Sequence, residues 1–194
     1  GSEMCIRDSN DPDACAIVFI RRFRLQSMQP AMRNNQLTKE EIDALLGSEN
    51  EGVLSTNGED GYPYGAPINY VYMDGRILFH GRKVGEKIGN IRRDPRACFT
   101  VVDSQGFEIC GDEANNVTTV YRSVVIRGKC RFVEDEADKT QMLRALVKAT
   151  VPEKADQLLR PEIVKAAEVY EIVPESVTGK YHRPKAGNPV VKKD

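Results

Sequence analysis

The chain has 194 residues, of which 28 are Lys or Arg and 29 are Asp or Glu, so its formal net charge at pH 7 is −1. This charge argues against nucleic-acid binding, which uses a broad basic surface, and no apolar run approaches the roughly 20 residues that a membrane-spanning helix needs. The length suits one ordinary domain. We therefore predict a cytoplasmic protein with neither a nucleic-acid nor a membrane partner.

The five cysteines form neither a CxxC pair nor a zinc-ligand spacing. An odd number suits free thiols better than a disulfide framework, and free thiols are typical of a reducing cytoplasm. Cys98 and Cys130 lie in strand-like runs, where small core residues are expected. The sequence therefore predicts no metal site.

The first 31 residues show no clean hydrophobic period and no helix cap, and their opening GSEMCIRDS resembles a translated sequencing adapter. The apolar run Ala14–Ile20 precedes its arginines, whereas a signal peptide places positive charges before the apolar core. We predict that residues 1–31 are a non-native or disordered extension, with a targeting segment as the alternative. The predicted domain covers residues 32–183, and residues 184–194 are predicted to be a flexible tail.

The first predicted element is a short helix that opens with a capping box, Thr38 to Glu41, and ends near Gly47. Val53–Thr56 is strand-like. Two further strands, Tyr62–Met73 and Arg76–His80, flank Asp74-Gly75, which is a strong hairpin signal. A basic helix is then predicted over Lys83–Arg93.

The second half alternates strands with helical segments. Ala97–Val102 is predicted as a strand buried on both sides, and Ser104–Thr118 as a mobile functional loop. Thr119–Val133 is a long strand in which Gly128 marks a bend or bulge. The remaining predicted elements are helices over Glu136–Thr150 and Glu153–Lys165 and a strand over Ala167–Val173. About six mostly antiparallel strands with flanking helices predict an α+β fold, a small barrel with helices outside.

The most informative part of the chain is the seam between the second hairpin strand and the basic helix. His80 ends the strand, and Lys83 and Lys87 follow at a spacing that shares one helix face. Free backbone N–H groups and the helix dipole at such a terminus favour an anion, which makes the seam a plausible phosphate seat. The alternatives are an exposed or structural histidine and a solvated pair of surface lysines.

The order and spacing of several short motifs resemble the pyridoxamine 5′-phosphate oxidase-like flavoproteins. The motifs are P-Y-G-A-P-I-N-Y, a D-G turn, I-L-F-H-G, K-x-x-x-K followed by D-P-R-A-C-F, and Y-R-S-V-V-I-R-G-K-C-R-F-V-E-D. The nearest branch is the nitroimidazole-resistance proteins, whose pattern has a histidine where His80 stands. The resemblance covers roughly residues 32–183.

This resemblance implies a split β-barrel that binds FMN at a homodimer interface. Pro67, Ile68, Asn69 and Tyr70 would lie along the isoalloxazine ring, and His80, Lys83 and Lys87 would approach the phosphate or the ring edge. A further contact from the neighbouring strand is implied for Ser123. One departure is Glu86, which stands where the oxidases have an arginine, so the phosphate clamp must differ in detail.

The function that the resemblance implies is an FMN-dependent oxidoreductase that passes electrons from a reduced donor to a small-molecule acceptor, such as a nitroaromatic compound. His80 is the predicted catalytic residue, since a histidine beside reduced flavin can donate a hydrogen bond or a proton. The alternative is a non-enzymatic barrel that holds flavin or haem, with His80 or His182 as an axial ligand. A dimeric scaffold with a degenerate pocket is a third reading.

Overall fold

The computed structural model describes residues 33–192, so the predicted extension over residues 1–31 lies outside the described part of the chain. Its α-helices are α1 (Lys39–Ser48), α2 (Glu86–Arg93), α3 (Glu136–Thr150) and α4 (Pro161–Ala166). Its strands are β1 (Glu51–Asn57), β2 (Pro63–Asn69), β3 (Val71–Met73), β4 (Arg76–Gly81), β5 (Arg96–Ile109), β6 (Val117–Phe132), β7 (Glu168–His182) and β8 (Val190–Val191). Within residues 33–192, none of the helices is long and apolar enough to cross a membrane.

The strands form one antiparallel sheet in the order β2-β1-β5-β6-β7-β4-β3, and β8 pairs with β5 outside this path. The two ends of the path, β2 and β3, are neighbours in the chain and are separated only by Tyr70. A sheet whose end strands are joined by one residue must curl round on itself. No ladder joins β2 to β3 in the described chain, so the curled sheet is a split barrel and the predicted fold class is confirmed.

Tyr70 fixes the point at which the barrel splits. The sequence predicts one strand over Tyr62–Met73, but the structure divides it at Tyr70, because β2 pairs with β1 and β3 pairs with β4. The Tyr70 amide donates to the carbonyl of Asn50 at 2.9 Å, and its hydroxyl donates to the carbonyl of Leu46 at 2.9 Å. The fully buried ring is therefore held against α1 rather than turned toward a ligand.

Two local predictions are confirmed in detail. The Thr38 side chain accepts a hydrogen bond from the Glu41 amide, and the Glu41 side chain accepts one from the Thr38 amide, which is a complete capping box. In the β3–β4 turn, Asp74 and Gly75 have φ of 52° and 74°. Two consecutive left-handed residues are what a two-residue hairpin turn requires.

The predicted mobile loop over Ser104–Thr118 is instead mostly a paired ribbon. β5 continues to Ile109 and β6 begins at Val117, with a register shift between Ser104 and Gly106. The bulge absorbs the extra residue and lets the ladder continue through polar sequence. The prediction that Ala97–Val102 is buried on both sides is also wrong, because Val102 is 57% exposed.

Gly128 marks a bulge, as predicted. The β6–β7 register shifts between Arg127 and Gly128, and a Cβ at Gly128 would lie 2.2 Å from the carbonyl oxygen of Val173. The bulge bends the long β6–β7 pair, and such bends let a sheet curl over its core. That core is built around Leu54, Phe79 and Phe99.

Residues 184–192, which the sequence predicts to belong to a flexible tail, return to β5 and end in the short strand β8. β8 pairs with Phe107 and Glu108, and the Ile109 amide donates to the carbonyl of Pro189 at 3.0 Å. Glu108 is completely buried beneath this segment and accepts hydrogen bonds from the Lys185 amide at 2.9 Å and the Asn188 side chain at 2.6 Å. The His182 ring donates to the same carboxylate at 2.6 Å. These bonds lower the pKa of Glu108 to about 2, the Lys185 amide contributing most.

Glu108→Gln is expected to destabilise the protein in a pH-dependent way. The pKa of Glu108 is lowered from 4.5 to about 2, so the ionised carboxylate stabilises the fold fully above its ordinary pKa and loses this effect as pH falls toward about 2. Urea unfolding midpoints of the two proteins should therefore differ at pH 7, and the difference should shrink as pH falls toward about 2. A difference that does not shrink on acidification would contradict an ionic role for Glu108.

Candidate functional site

Strand β4 carries its residues out of the core and presents His80 at the barrel surface. Ile77, Leu78 and Phe79 are all completely buried, because both faces of β4 are covered, and His80 is the first exposed residue after them. Phe79 stacks on Tyr170 of β7 with ring centroids 5.0 Å apart, and the Tyr170 hydroxyl donates to the carbonyl of Arg82 at 3.1 Å. The strand end and the loop after it are thereby tied to β7.

The helix after this loop begins later than the sequence predicts. Gly85 has φ of 130°, and α2 begins only at Glu86. Lys83 therefore lies in the loop, where its ammonium group is 3.7 Å from a carboxylate oxygen of Glu168. The prediction that Lys83 and Lys87 share a helix face is wrong, because Lys83 is not helical.

Lys87 is a half-buried cation that lacks a carboxylate partner within residues 33–192. Its Nζ lies 5.5 Å from the centroid of the Phe79 ring, and a Cβ built on Gly81 would be 3.8 Å from it. Among the described residues, Lys87 makes no ion pair with a carboxylate, although the neighbouring Lys83 and Arg96 both do. Desolvation by the surrounding side chains lowers the pKa of Lys87. A buried charge is costly without a partner, so this arrangement suits a bound anion.

The start of α2 adds hydrogen-bond donors to the same place. Gly85 caps the helix without a side-chain hydrogen bond, and the amides of Ile88 and Gly89 are the ones that reach the Gly85 carbonyl. The amides of Glu86 and Lys87, at the first two helical positions, have no partner within the helix. Free amides, the positive end of the helix dipole and the Lys87 side chain all favour an anion, and we call this group the anion seat.

The positive charge of Lys87 influences the pKa of His80. Desolvation, and then the positive charge of Lys87, lowers the pKa of His80 from its ordinary 6.5. The imidazole is therefore mainly neutral at pH 7. The thiol of Cys130, which also lies within electrostatic reach of Lys87, is buried, and desolvation raises its pKa to about 12. Cys130 consequently provides no negative charge to neutralise Lys87.

Lys87→Met is expected to raise the pKa of His80, because the substitution removes a neighbouring positive charge. Histidine NMR resonances can be followed cleanly, since the chain has only two histidines. His182 serves as the internal control, because it bonds Glu108 rather than Lys87. An unchanged His80 titration would show that the two side chains are not electrostatically coupled.

The predicted ring contacts divide between the two faces of the sheet. Directly paired residues share a face, so Pro67 lies in one row with Val53, Thr100, Val125 and Thr178. We call this side the outer face. Asn69 and Ser123 lie on it as well, two positions along their strands from Pro67 and Val125. Ile68 and Tyr70 point to the opposite side and pack in the core, so their contacts with an outer-face ligand would be made by the backbone.

Asn69 and His80 flank the split in the barrel. Val71 pairs with Leu78, so Asn69 lies two residues before this pair in the chain and His80 two residues after it. Ser123 lies elsewhere: its partner on β7 is Lys180, whereas the β7 partner of His80 is Val169. These two partners are separated by roughly 35 Å of strand at about 3.3 Å per residue, so Ser123 and His80 are not side by side.

Residues 38–181 match the family model described as pyridoxamine 5′-phosphate oxidase. The chain belongs to this family. The match extends from the cap of α1 almost to the end of β7 and so confirms the resemblance seen in the motifs. No curated protein matches this pyridoxamine 5′-phosphate oxidase family member in sequence.

Solved structures share the fold of this pyridoxamine 5′-phosphate oxidase family member at low sequence identity. A candidate 5-nitroimidazole antibiotic resistance protein from Bacteroides thetaiotaomicron has 22% identity and a TM-score of 0.65, over 75% of this chain and 85% of that one. A flavocytochrome from Azotobacter vinelandii has 21% identity and a TM-score of 0.71, over 80% and 72%. An FAD and heme binding protein from Mycobacterium smegmatis has 19% identity and a TM-score of 0.68, over 77% and 74%.

The surroundings of Lys87 are the part of the site that sequence reasoning missed. Phe79, Cys130 and Tyr170 come from three strands, and their proximity depends on the β4–β7 and β6–β7 pairings. The sequence does carry one signal, which is that Ile77, Leu78 and Phe79 form an unbroken apolar run. Such a run indicates a strand covered on both faces, and a side chain at its end emerges from the core.

Proposed function

We propose that this protein is a homodimeric FMN-dependent oxidoreductase that passes electrons from a reduced donor through the flavin to a small acceptor such as a nitroaromatic compound. The observation that carries the proposal is the anion seat, in which half-buried Lys87 has no carboxylate partner among residues 33–192 and the first amides of α2 have no partner within the helix. Membership of the pyridoxamine 5′-phosphate oxidase family supports it. The names of several structural neighbours, which include flavin-binding proteins, support a flavin as the ligand.

The residues around the seat fit the phosphate of FMN. Lys87 supplies one charge, and the amides of Glu86 and Lys87 supply directional donors. Arg82 and Lys83 line the exposed loop beside the seat, and Lys83 is shared with Glu168. The Glu86 side chain is exposed at the first helical position, so it can turn to solvent and leave the amides to the ligand. In this arrangement one lysine and the helix terminus replace the arginine that the oxidases have.

The outer face fits the ring of the cofactor. The row through Pro67 has no ionisable side chain, and a Cβ on Gly65 would have only Val53 within contact distance, at 3.7 Å. A planar aromatic ring can lie against such a flat surface, with Asn69 able to hydrogen-bond a ring carbonyl or nitrogen. Bound flavin supplies the redox chemistry, and the protein supplies binding, orientation and electrostatics. His80, neutral at pH 7, can accept or donate one hydrogen bond beside the ring edge.

A second copy of the chain is the proposed cover for the outer face. Val53 and Val102 are 42% and 57% exposed, and contiguous exposed apolar surface of this kind marks interaction sites. Glu51 and Lys180 border the row on opposite strands, so a two-fold related copy can meet it with charges of both signs. Ser123 lies on this face but apart from His80, which is consistent with one flavin contacting two protomers.

An absorbance spectrum of the purified protein, before and after adding FMN, tests the proposal. A flavin spectrum that co-elutes with a dimer in size-exclusion chromatography is the expected result. A strong Soret band would identify haem instead and support the alternative of a non-enzymatic haem-binding barrel. A colourless protein that ignores both cofactors would refute the flavin assignment and leave a scaffold.

His80→Ala is expected to leave folding and the Kd for FMN nearly unchanged but to lower turnover of a nitroaromatic acceptor by at least ~10-fold, since positioned acid–base groups contribute about 10²-fold or more. The paired measurement of Kd and kcat separates binding from turnover. Full activity with every acceptor tried would remove His80 from the reaction.

A further inference from the structure

The edge of β5 is covered by two different segments. β1 pairs with Ala97–Thr100, and beyond this point the same edge is taken over by β8, which pairs with Phe107 and Glu108. β6 occupies the other edge of β5 along its whole length. An uncovered strand edge is a template for pairing with another chain. The segment 184–191, which we call the clasp, therefore closes an edge that would otherwise be open.

The clasp is attached by backbone pairing with Phe107, Glu108 and Ile109 and by polar contacts with the Glu108 side chain. The buried Glu108 carboxylate accepts hydrogen bonds from the His182 ring, the Lys185 amide and the Asn188 side chain. The apolar contribution is small, because Val190 and Val191 are 39% and 53% exposed. The surface beneath is partly open too, since Phe107 and Ile109 are 41% and 36% exposed. Little buried apolar area holds the clasp, so local opening is inexpensive compared with unfolding the barrel.

A groove runs beside the clasp and shows that it is not packed tightly against the ribbon. The groove has a volume of about 520 Å³, and it is lined by Ser104, Gln105, Val120, Pro184, Val190 and Lys192. One wall of the groove belongs to the clasp and the other to β5 and β6. The clasp therefore contacts β5 closely at β8 and at Gly106 but leaves a groove beside Ser104 and Gln105.

We propose that the clasp is detachable, and that once released it can pair with the β5 edge of a second copy, so that two chains exchange their C-terminal strands. The hydrogen bonds to the Glu108 carboxylate keep the clasp on its own chain. The exchange preserves every contact of the clasp, because each copy has the same β5 edge, the same Glu108 carboxylate and the same hydrogen-bond donors. Seven residues separate His182 from Val190, and they include a turn at Gly187, whose φ is 90°. A change of conformation in this segment would direct β8 toward the second copy. This proposal concerns the chain alone and does not depend on the flavin.

A disulfide across the closed pairing distinguishes the two states. Phe107 and Val191 are direct partners, and paired residues of antiparallel strands have Cα separations of about 4.5–5.5 Å, which a disulfide can span. The test protein is the full chain carrying Phe107→Cys, Val191→Cys and Cys110→Ser, oxidised mildly over a range of protein concentrations. Non-reducing electrophoresis then separates a bond within one chain from a bond between two, and peptide mapping confirms that it joins positions 107 and 191.

We expect the test protein with its native Glu108 (the parent) to form the disulfide within one chain. Adding Glu108→Gln should give at least a tenfold larger fraction of covalent dimer, and this fraction should rise with protein concentration. Gly106→Ala should also raise the fraction of covalent dimer while leaving Glu108 in place, because its Cβ would lie 2.2 Å from the carbonyl oxygen of Val191. Glu113→Gln, an exposed carboxylate in the turn of the same ribbon, is the matched control. Covalent dimers that are equally abundant in the parent, or absent from both clasp variants, would overturn the proposal.

Discussion

Lys87→Glu is expected to weaken FMN binding by at least ~100-fold, which corresponds to about 2.7 kcal/mol. The substitution replaces a charge-assisted contact with the phosphate by a repulsion in a half-buried place. It also leaves a second carboxylate next to Glu86 at the start of α2. Isothermal titration or quenching of flavin fluorescence measures the Kd directly.

Riboflavin provides the sharpest control, because it has the ring of FMN but no phosphate. Lys87→Met should weaken FMN at least ~10-fold and leave riboflavin binding unchanged, since only the phosphate contact is lost. Lys148→Glu makes the same charge reversal at an exposed position of α3 and should change neither Kd. Equal losses for FMN and riboflavin would place Lys87 at the ring, and no loss for either would remove it from the site.

Gly128→Ala is expected to destabilise the protein by about 2–3 kcal/mol, among the larger effects of a single methyl group. Its Cβ would lie 2.2 Å from the carbonyl oxygen and 2.9 Å from the carbonyl carbon of Val173. Both atoms are backbone, so neither can rotate away as a side chain would. Relief requires movement of the β6–β7 bulge, on which the curl of the barrel depends. Urea unfolding followed by circular dichroism measures the loss.

Gly47→Ala is the matched control for this prediction. Gly47 lies in α1, and a Cβ there would have no atom within 4 Å apart from its own stretch of helix backbone. Alanine is the better helix former, so this variant should be unchanged or up to about 1 kcal/mol more stable. A Gly128→Ala protein as stable as the Gly47→Ala protein would mean that the bulge can relax and does not hold the two strands in place.

Local features were predictable from the sequence because they depend on neighbouring residues. The Thr38 capping box, the Asp74-Gly75 turn and the Gly128 bulge each follow from the conformational needs of a few positions. The split at Tyr70 was not predictable in this way, since an unbroken β-like run gives no sign that its two halves pair with different strands. Only the partners β1 and β4 divide it, and they are set by the whole sheet.

The candidate site was predictable only in outline. His80 and Lys87 stand out at the strand–helix seam, and the structure brings them within electrostatic reach of each other. The prediction that Lys83 shares a helix face with Lys87 was wrong, because Gly85 has a left-handed φ and the helix begins only after it. The predicted loop over Ser104–Thr118 failed because a bulge at Gly106 lets polar sequence stay in a ladder. In both cases a single glycine conformation decided the outcome.

The long separation between β4 and its partner β7 has a consequence for how the protein is made. Ile77 pairs with Ile172, so the apolar strand β4 leaves the ribosome long before the strand that covers its other edge. At about 5–20 residues per second, the delay is roughly 5–20 s. During this time Ile77, Leu78 and Phe79 are available to other nascent chains. We therefore expect the yield of soluble protein to depend on the rate of synthesis. Additional chaperone capacity should raise the yield of intact barrel more than slower expression at low temperature does.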